Sequence, residues 1–254
     1  MVAMNALTQA ELDAAAMGDL TSHPCSVALA RARLYHFLEL ALAHPGEDGF
    51  DYFRQESTEQ EYLDIYAGLL EQDAELSATG LAAASAFFAR LKELSFQDVE
   101  AAHIALFSAN YPRLPCPPYG SLYTAPDSEK RLAAMLEIKE FYQQNGVDIA
   151  DTFDDLPDHL CVELEFSHLL CFRENAAVTN DDADIFAGVQ HVQAEFLDKF
   201  LLPLGNSLAD HAAAAMPDNL YADLLATLRC FLLQHRRELG TSVESSSQDQ
   251  EIQS

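Results

Sequence analysis

Tryptophan is absent from this 254-residue chain, and basic residues are scarce: 14 Lys and Arg stand against 41 Asp and Glu, a formal charge of −27 at pH 7. That field disfavours nucleic acid and anionic lipid, which are bound by Lys and Arg displacing counterions. It favours encounter with a basic partner. The five cysteines, Cys25, Cys116, Cys161, Cys171 and Cys230, are odd in number and contain no C-x-x-C pair. A zinc ribbon or disulfide framework is therefore not expected, and idle thiols in a reducing compartment fit the count. No run of 18 apolar residues occurs, so no membrane-spanning helix is expected. Met1 to Leu20 lacks a basic start and is interrupted by Glu11, Asp13 and Asp19, unlike a secretory signal. The expected location is the cytoplasm, with neither nucleic acid nor stable membrane insertion. Phosphate-binding glycine loops and a nucleophile elbow are also missing.

Alternating β-branched runs bounded by turns are nearly absent as well, which points away from sheet. What recurs is helical spacing. Val27, Ala30, Leu34, Leu38 and Ala41 mark one face, ending at His44-Pro45-Gly46. Thr58-Glu59-Gln60-Glu61 reads as a capping box opening a helix with Tyr62, Ile65, Tyr66 and Leu69. Leu81, Ala84, Phe87, Phe88 and Leu91 mark another, and Ser95-Phe96-Gln97-Asp98 caps the next. Helices are further predicted around Leu132 to Tyr142, closed by Asn145-Gly146, then from Pro157 through Leu170. Others follow over 186–201, 204–215 and 221–235, with Asp181, Asp182 and Asp184 as a solvated helix start. The expected fold is all-α, about ten helices in one domain over 23–239. Residues 1–22 are expected to be frayed, and 240–254, rich in Ser, Gln and acid, to be disordered.

Five of the ten prolines fall between Pro112 and Pro126. Proline removes amide donors and biases its predecessor away from helix, so an extended loop is predicted there. Tyr111, Tyr119 and Tyr123 in that loop need burial or a partner. Beyond it, Asp158 and His159 stand where a helix begins. They suit either a site for a basic, partly apolar peptide or a purely structural pair, Asp158 capping the helix and His159 bonding the loop. The alternative with catalytic chemistry is a di-iron bundle. Glu100/His103 and Glu165/His168 are both E-x-x-H, with Glu39 and Glu195 as further carboxylates.

The pairing of PPYGSLY, Pro117 to Tyr123, with LPDHLCVELEF, Leu156 to Phe166, resembles the TorD/DmsD/NarJ family of redox-enzyme maturation chaperones. ALARARLYHFLELALAHP near the front and Leu106-Phe107 before the loop agree, and the resemblance spans Val27 to Arg237. It implies a helical, non-catalytic cytoplasmic chaperone without a cofactor of its own, monomeric or weakly dimeric. The implied partner is the catalytic subunit of a molybdenum bis-guanine-dinucleotide enzyme together with its signal peptide. The implied peptide-binding positions are His103, Leu106 and Phe107 before the loop and Pro118, Tyr119, Ser121 and Tyr123 within it. Pro157, Asp158, His159 and Glu163 complete the set after it. Where the family commonly has a Trp-Pro pair in a later helix, this chain has Lys199-Phe200-Leu201-Leu202-Pro203, and His103 stands where a large aromatic is common.

Overall fold

The computed structural model describes residues 27–70, 74–110, 113–150 and 154–251. It is 80% helical, with no strand among the described residues. The expectation for 1–22 lies outside the described residues, as does Tyr111. The last helix carries backbone as far as Glu251, and its side chains beyond residue 240 are outside the description.

Helix α1 (Val27–Leu42) lies against α8 (Leu160–Thr179), and this pair forms the centre of the molecule. Apolar residues come around most of α8, so it is buried on nearly every side: Leu160, Val162, Leu164, Phe166, Leu169, Leu170 and Cys171 are all core. Short α2 (Glu47–Phe53) and α3 (Glu56–Leu70) lead to α4 (Ala74–Glu93), which packs along α11 (Leu220–Glu251). Tyr66 reaches across to give its hydroxyl to the Thr227 carbonyl at 2.8 Å. Gly80 lets that ring through, because a Cβ there would meet the Tyr66 hydroxyl at 2.2 Å. Helix α5 (Phe96–His103) runs into a π-turn, Ile104–Ser108, and then the proline loop. After the loop come one-turn α6 (Ser121–Thr124) and α7 (Ser128–Gln144). Helix α9 (Ala183–Phe196), a second π-turn (Leu197–Leu201) and α10 (Leu202–Ala215) connect α8 to α11.

Several local signals hold. Ser95 and Asp98 form the reciprocal capping box, Asp182 accepts from the Ile185 amide at 3.0 Å, and Gly146 after α7 takes a positive φ of 71°. Three expectations are corrected, and one apolar face stays exposed. Thr58 does not cap: α3 already starts at Glu56, and Thr58 is buried within it. The α8 helix begins at Leu160, three residues later than Pro157 suggested. The loop contains the turn of helix α6. The apolar residues Leu132 and Leu136 of α7 are 55% and 51% exposed, whereas Ile138, Phe141 and Tyr142 one turn on enter the core. Periodicity finds an apolar face but not whether anything covers it.

Candidate functional site: a groove between the proline loop and two helix ends

The proline loop is pinned from both sides. Its prolines offer no amide to a helix ladder, so its carbonyls and few amides bond outward. The Cys116 amide donates to Leu106 at 3.0 Å, and the Cys116 thiol lies 3.7 Å from the Leu208 carbonyl. Tyr119 and His159 form an isolated antiparallel bridge. The Leu160 amide donates to Pro118 at 2.8 Å, and the Gly120 amide donates to Asp158 at 2.9 Å. The loop is thereby laid across the N-terminal end of α8. Of the structural roles the sequence allowed, the two residues exchange places. His159 is the helix cap, its Nδ1 accepting from the Cys161 amide at 3.1 Å. Asp158 instead holds the loop, its Oδ2 accepting from the Ser121 amide at 2.8 Å. Because Nδ1 accepts, the neutral His159 ring carries its proton on Nε2, 3.9 Å from an Asp155 carboxylate oxygen. Burial lowers its pKa, opposed by the charges of Asp155 and Asp158.

A groove of about 490 Å³ opens beside this junction. One wall is the C-terminal end of α1, Glu39 to His44; another is His103, Phe107 and Ser108 around the π-turn. Leu114, Pro118 and Tyr119 of the loop, together with Asp155, Glu165 and the residues from His159 to Val162 at the start of α8, close it. The π-turn matters here: the wider turn turns both Leu106 and Phe107 inward, as π-turns at sites often do. His103 faces the Leu42 carbonyl through Nε2 at 3.2 Å, which meets one of the carbonyls a helix end leaves free. Burial lowers the His103 pKa to about 4, so the ring is neutral at pH 7. Its Nδ1 is a buried acceptor without a partner. Glu39, Asp155 and Glu165, with the carbonyl end of α1, make the lining electronegative.

Of the residues singled out in the sequence, the groove gathers His103, Phe107, Pro118, Tyr119 and His159. Leu106 is fully buried behind it, and Tyr123 sits off to one side with its ring 5.3 Å from His211. Ser121 of the loop, and Asp158 and Glu163 beneath it, are each at most 4% exposed. The Pro157 carbonyl accepts from Tyr142 at 3.1 Å. The sequence reading missed the end of α1 altogether. Glu39 had been weighed only as a metal ligand, and nothing local in AHPG signals that this turn faces a loop some 70 residues away.

His103 and Glu165 line the same groove, but among the described residues the two E-x-x-H motifs assemble no metal-ligand set. His103 and His168 each use a ring nitrogen on a carbonyl of α1, Leu42 and Ala32 respectively. Glu39 bonds His36 at 3.1 Å, and Glu195 borders a separate cleft with Lys199 and Arg236. Among the described residues no three His, Cys, Asp or Glu are grouped to hold a metal ion, so the di-iron reading is not favoured. No described helix is long and apolar enough to cross a membrane.

The fold and groove define an all-α protein with a recessed, acid-lined surface. Residues 68–209, more than half the chain, match the model of the nitrate reductase delta subunit family, and the chain belongs to that family. It is 27% identical over 218 residues to the perchlorate reductase assembly chaperone protein of Dechloromonas aromatica, covering 83% of this chain and 90% of that one. To the selenate reductase assembly chaperone protein of Thauera selenatis it is 31% identical over 105 residues, 41% of this chain and 52% of that. A candidate redox enzyme maturation protein from Archaeoglobus fulgidus aligns over 85% of this chain and 98% of its own. That alignment has 21% identity and a TM-score of 0.46. The family match places the chain among the redox-enzyme maturation chaperones, as the paired motifs implied.

Proposed function

We propose that this chain binds the leader and body of a molybdopterin-containing reductase catalytic subunit in the cytoplasm. It holds that subunit back until its cofactor has been inserted, and itself performs no catalysis. The observation that supports this most is the groove at the junction of the two family motifs. Its apolar and aromatic surface, Phe107, Leu114, Pro118 and Tyr119, suits the hydrophobic stretch of a leader. Its acids, Glu39, Asp155 and Glu165, and the carbonyl end of α1 suit arginine, whose donors make charge-assisted bonds to carboxylate. His103 adds a neutral acceptor for a peptide donor. In this reading Asp158, Ser121 and Glu163 shape the groove from behind rather than touching the peptide.

Affinity capture from the native host, with the client identified by mass, followed by calorimetry with the client's leader peptide, tests the proposal. Saturable leader binding that competes with the full catalytic subunit is the expected result. A captured partner unrelated to redox enzymes, or a leader that binds no better than its scrambled sequence, refutes it.

A further inference from the structure

Behind the groove wall two carboxyl groups are buried together where few charges are available to meet them. Glu163 is 1% exposed and Asp158 3%. Both flank Gly120: a Cβ on that glycine would lie 3.2 Å from Glu163 Oε1 and 3.9 Å from the Asp158 Cβ. Asp158 Oδ2 takes the Ser121 amide, but Asp158 Oδ1 and Glu163 Oε2 are each buried without a donor. Two ionised carboxylates cannot share such a place, because each charge raises the cost of the other in a dry environment. An unmet buried acceptor is costly too, and a proton on one acid removes both problems at once.

We propose that Asp158 and Glu163 form a proton-sharing pair, Glu163 neutral and Asp158 ionised, that seats Gly120 and Ser121 of the proline loop against the groove wall. The Glu163 hydroxyl donates toward Asp158 Oδ1, directly or through one bridging water. Asp158 Oδ2 already accepts from the Ser121 amide, so the shared proton is assigned to Glu163. Burial, then the Asp158 charge, pushes the Glu163 carboxyl well above the usual range. The other titratable groups facing the pair are Tyr142 from α7, whose hydroxyl is committed to the Pro157 carbonyl, and Tyr119, Asp155 and His159 around Asp158. None of them is a cation at neutral pH that would let both acids ionise. Asp158 is then a positioning residue for the groove, acting through the loop.

A neutral buried acid has a signature that no packing role imitates. Infrared spectra of the full chain without ligand should show a carboxylic-acid carbonyl stretch that shifts in D2O, is absent in Glu163→Gln and is displaced in Asp158→Asn. If no such band is present, or if it persists in Glu163→Gln, the pair is refuted. Should Glu163→Gln fail to fold, a band unmoved in Asp158→Asn refutes it instead. Linkage gives an independent reading. A raised folded-state pKa contributes stability that is full below the ordinary carboxyl value of 4.5 and is lost as pH rises toward the folded value. The melting temperature of wild type relative to Glu163→Gln should therefore fall as pH rises from about 5 to about 8, and a constant difference refutes the pair. The positioning role rests on the leader reading and is tested separately. Glu163→Ala should weaken leader binding about tenfold, whereas Glu163→Gln, which still donates to Asp158, should restore it. Equal affinities for the two variants would remove the positioning role while leaving the infrared result standing.

Discussion

The two ends of the α1–α8 pair both bury carboxylates, and they treat them in opposite ways. Far from the loop, Arg31 of α1 is 6% exposed and bonds Glu174 of α8 at 3.3 Å and Glu238 of α11. Gln193 and Gln190 of α9 donate to Glu174 at 2.9 and 3.2 Å, and Gln234 donates to Glu238 at 2.8 Å. Four helices meet there with the acids answered by donors. At the loop end, Asp158 and Glu163 bury oxygens that nothing meets, His103 buries a bare acceptor, and a groove lies beside them. Satisfied buried charge fixes helix register, whereas unsatisfied buried polarity in a native protein calls for an explanation such as a proton or a ligand. The difference separates the frame of this molecule from the surface proposed to bind the client.

Breaking the satisfied end should have the largest effect. Arg31→Leu leaves the buried Glu174 without the Arg31 guanidinium, removes its bond to the half-buried Glu238 and should destabilise the protein by about 3–5 kcal/mol in denaturant unfolding. Leader binding by the surviving folded fraction should change little. If the loss of stability is small, the network is not the frame argued here.

At the groove the order reverses. Tyr119 is half-buried, its ring set edge-on against His159 at 5.2 Å. Tyr119→Ala should weaken leader binding by about 1–3 kcal/mol in calorimetry, as truncation of an interface anchor does. Its thermal transition should stay close to wild type. Normal affinity in a stable variant would move the binding surface elsewhere.

The pH response sharpens the contrast further. The His103 pKa is lowered, chiefly by burial, from 6.5 to about 4. The unfolded chain therefore binds a proton that the native ring refuses, and stability present above 6.5 is lost as pH falls toward about 4. His103→Phe, which keeps an aromatic ring but has no titratable nitrogen, should flatten that part of the curve in thermal melts. An unchanged slope would show that other groups control it. The smallest expected effect is kinetic. Association with an arginine-bearing leader should slow as salt rises, since exposed charges are screened beyond about 10 Å at 0.1 M, and an arginine-free leader should lose most of that dependence.

Much of the frame was legible in the sequence because its signals are local. The spacing of Leu81, Ala84, Phe87, Phe88 and Leu91 gives α4, and the Ser95/Asp98 box gives the start of α5. Asn145-Gly146 marks the end of α7. Misreadings came where a local signal met a tertiary competitor. Thr58 has a capping pattern but is covered by neighbouring helices, and Pro157 has a helix-starting geometry but gives its carbonyl to Tyr142. Leu132 and Leu136 have core periodicity with no helix set over them. The site was half legible: the two motifs contain Pro118, Tyr119 and His159, and the resemblance they carry implied His103 and Phe107. Glu39, His44, Asp155 and Glu165 become lining residues only because α1 ends opposite the loop.

By itself the sequence determined that this protein is helical and acidic, that a proline-rich segment interrupts it, and that the segment belongs with Leu156 to Phe166. Composition and short-range spacing carry the first two conclusions, and the family resemblance of the motif pair carries the third. Only the tertiary structure decided that His159 caps while Asp158 holds the loop, and which carboxylates are buried with a partner and which without. Those outcomes depend on desolvation and on donors brought from residues 37 to 207 positions away, as the Ser121–Asp158 and Arg31–Glu238 bonds illustrate. No local pattern encodes the dielectric around a carboxyl group, and at Asp158 and Glu163 that dielectric governs where the proton resides.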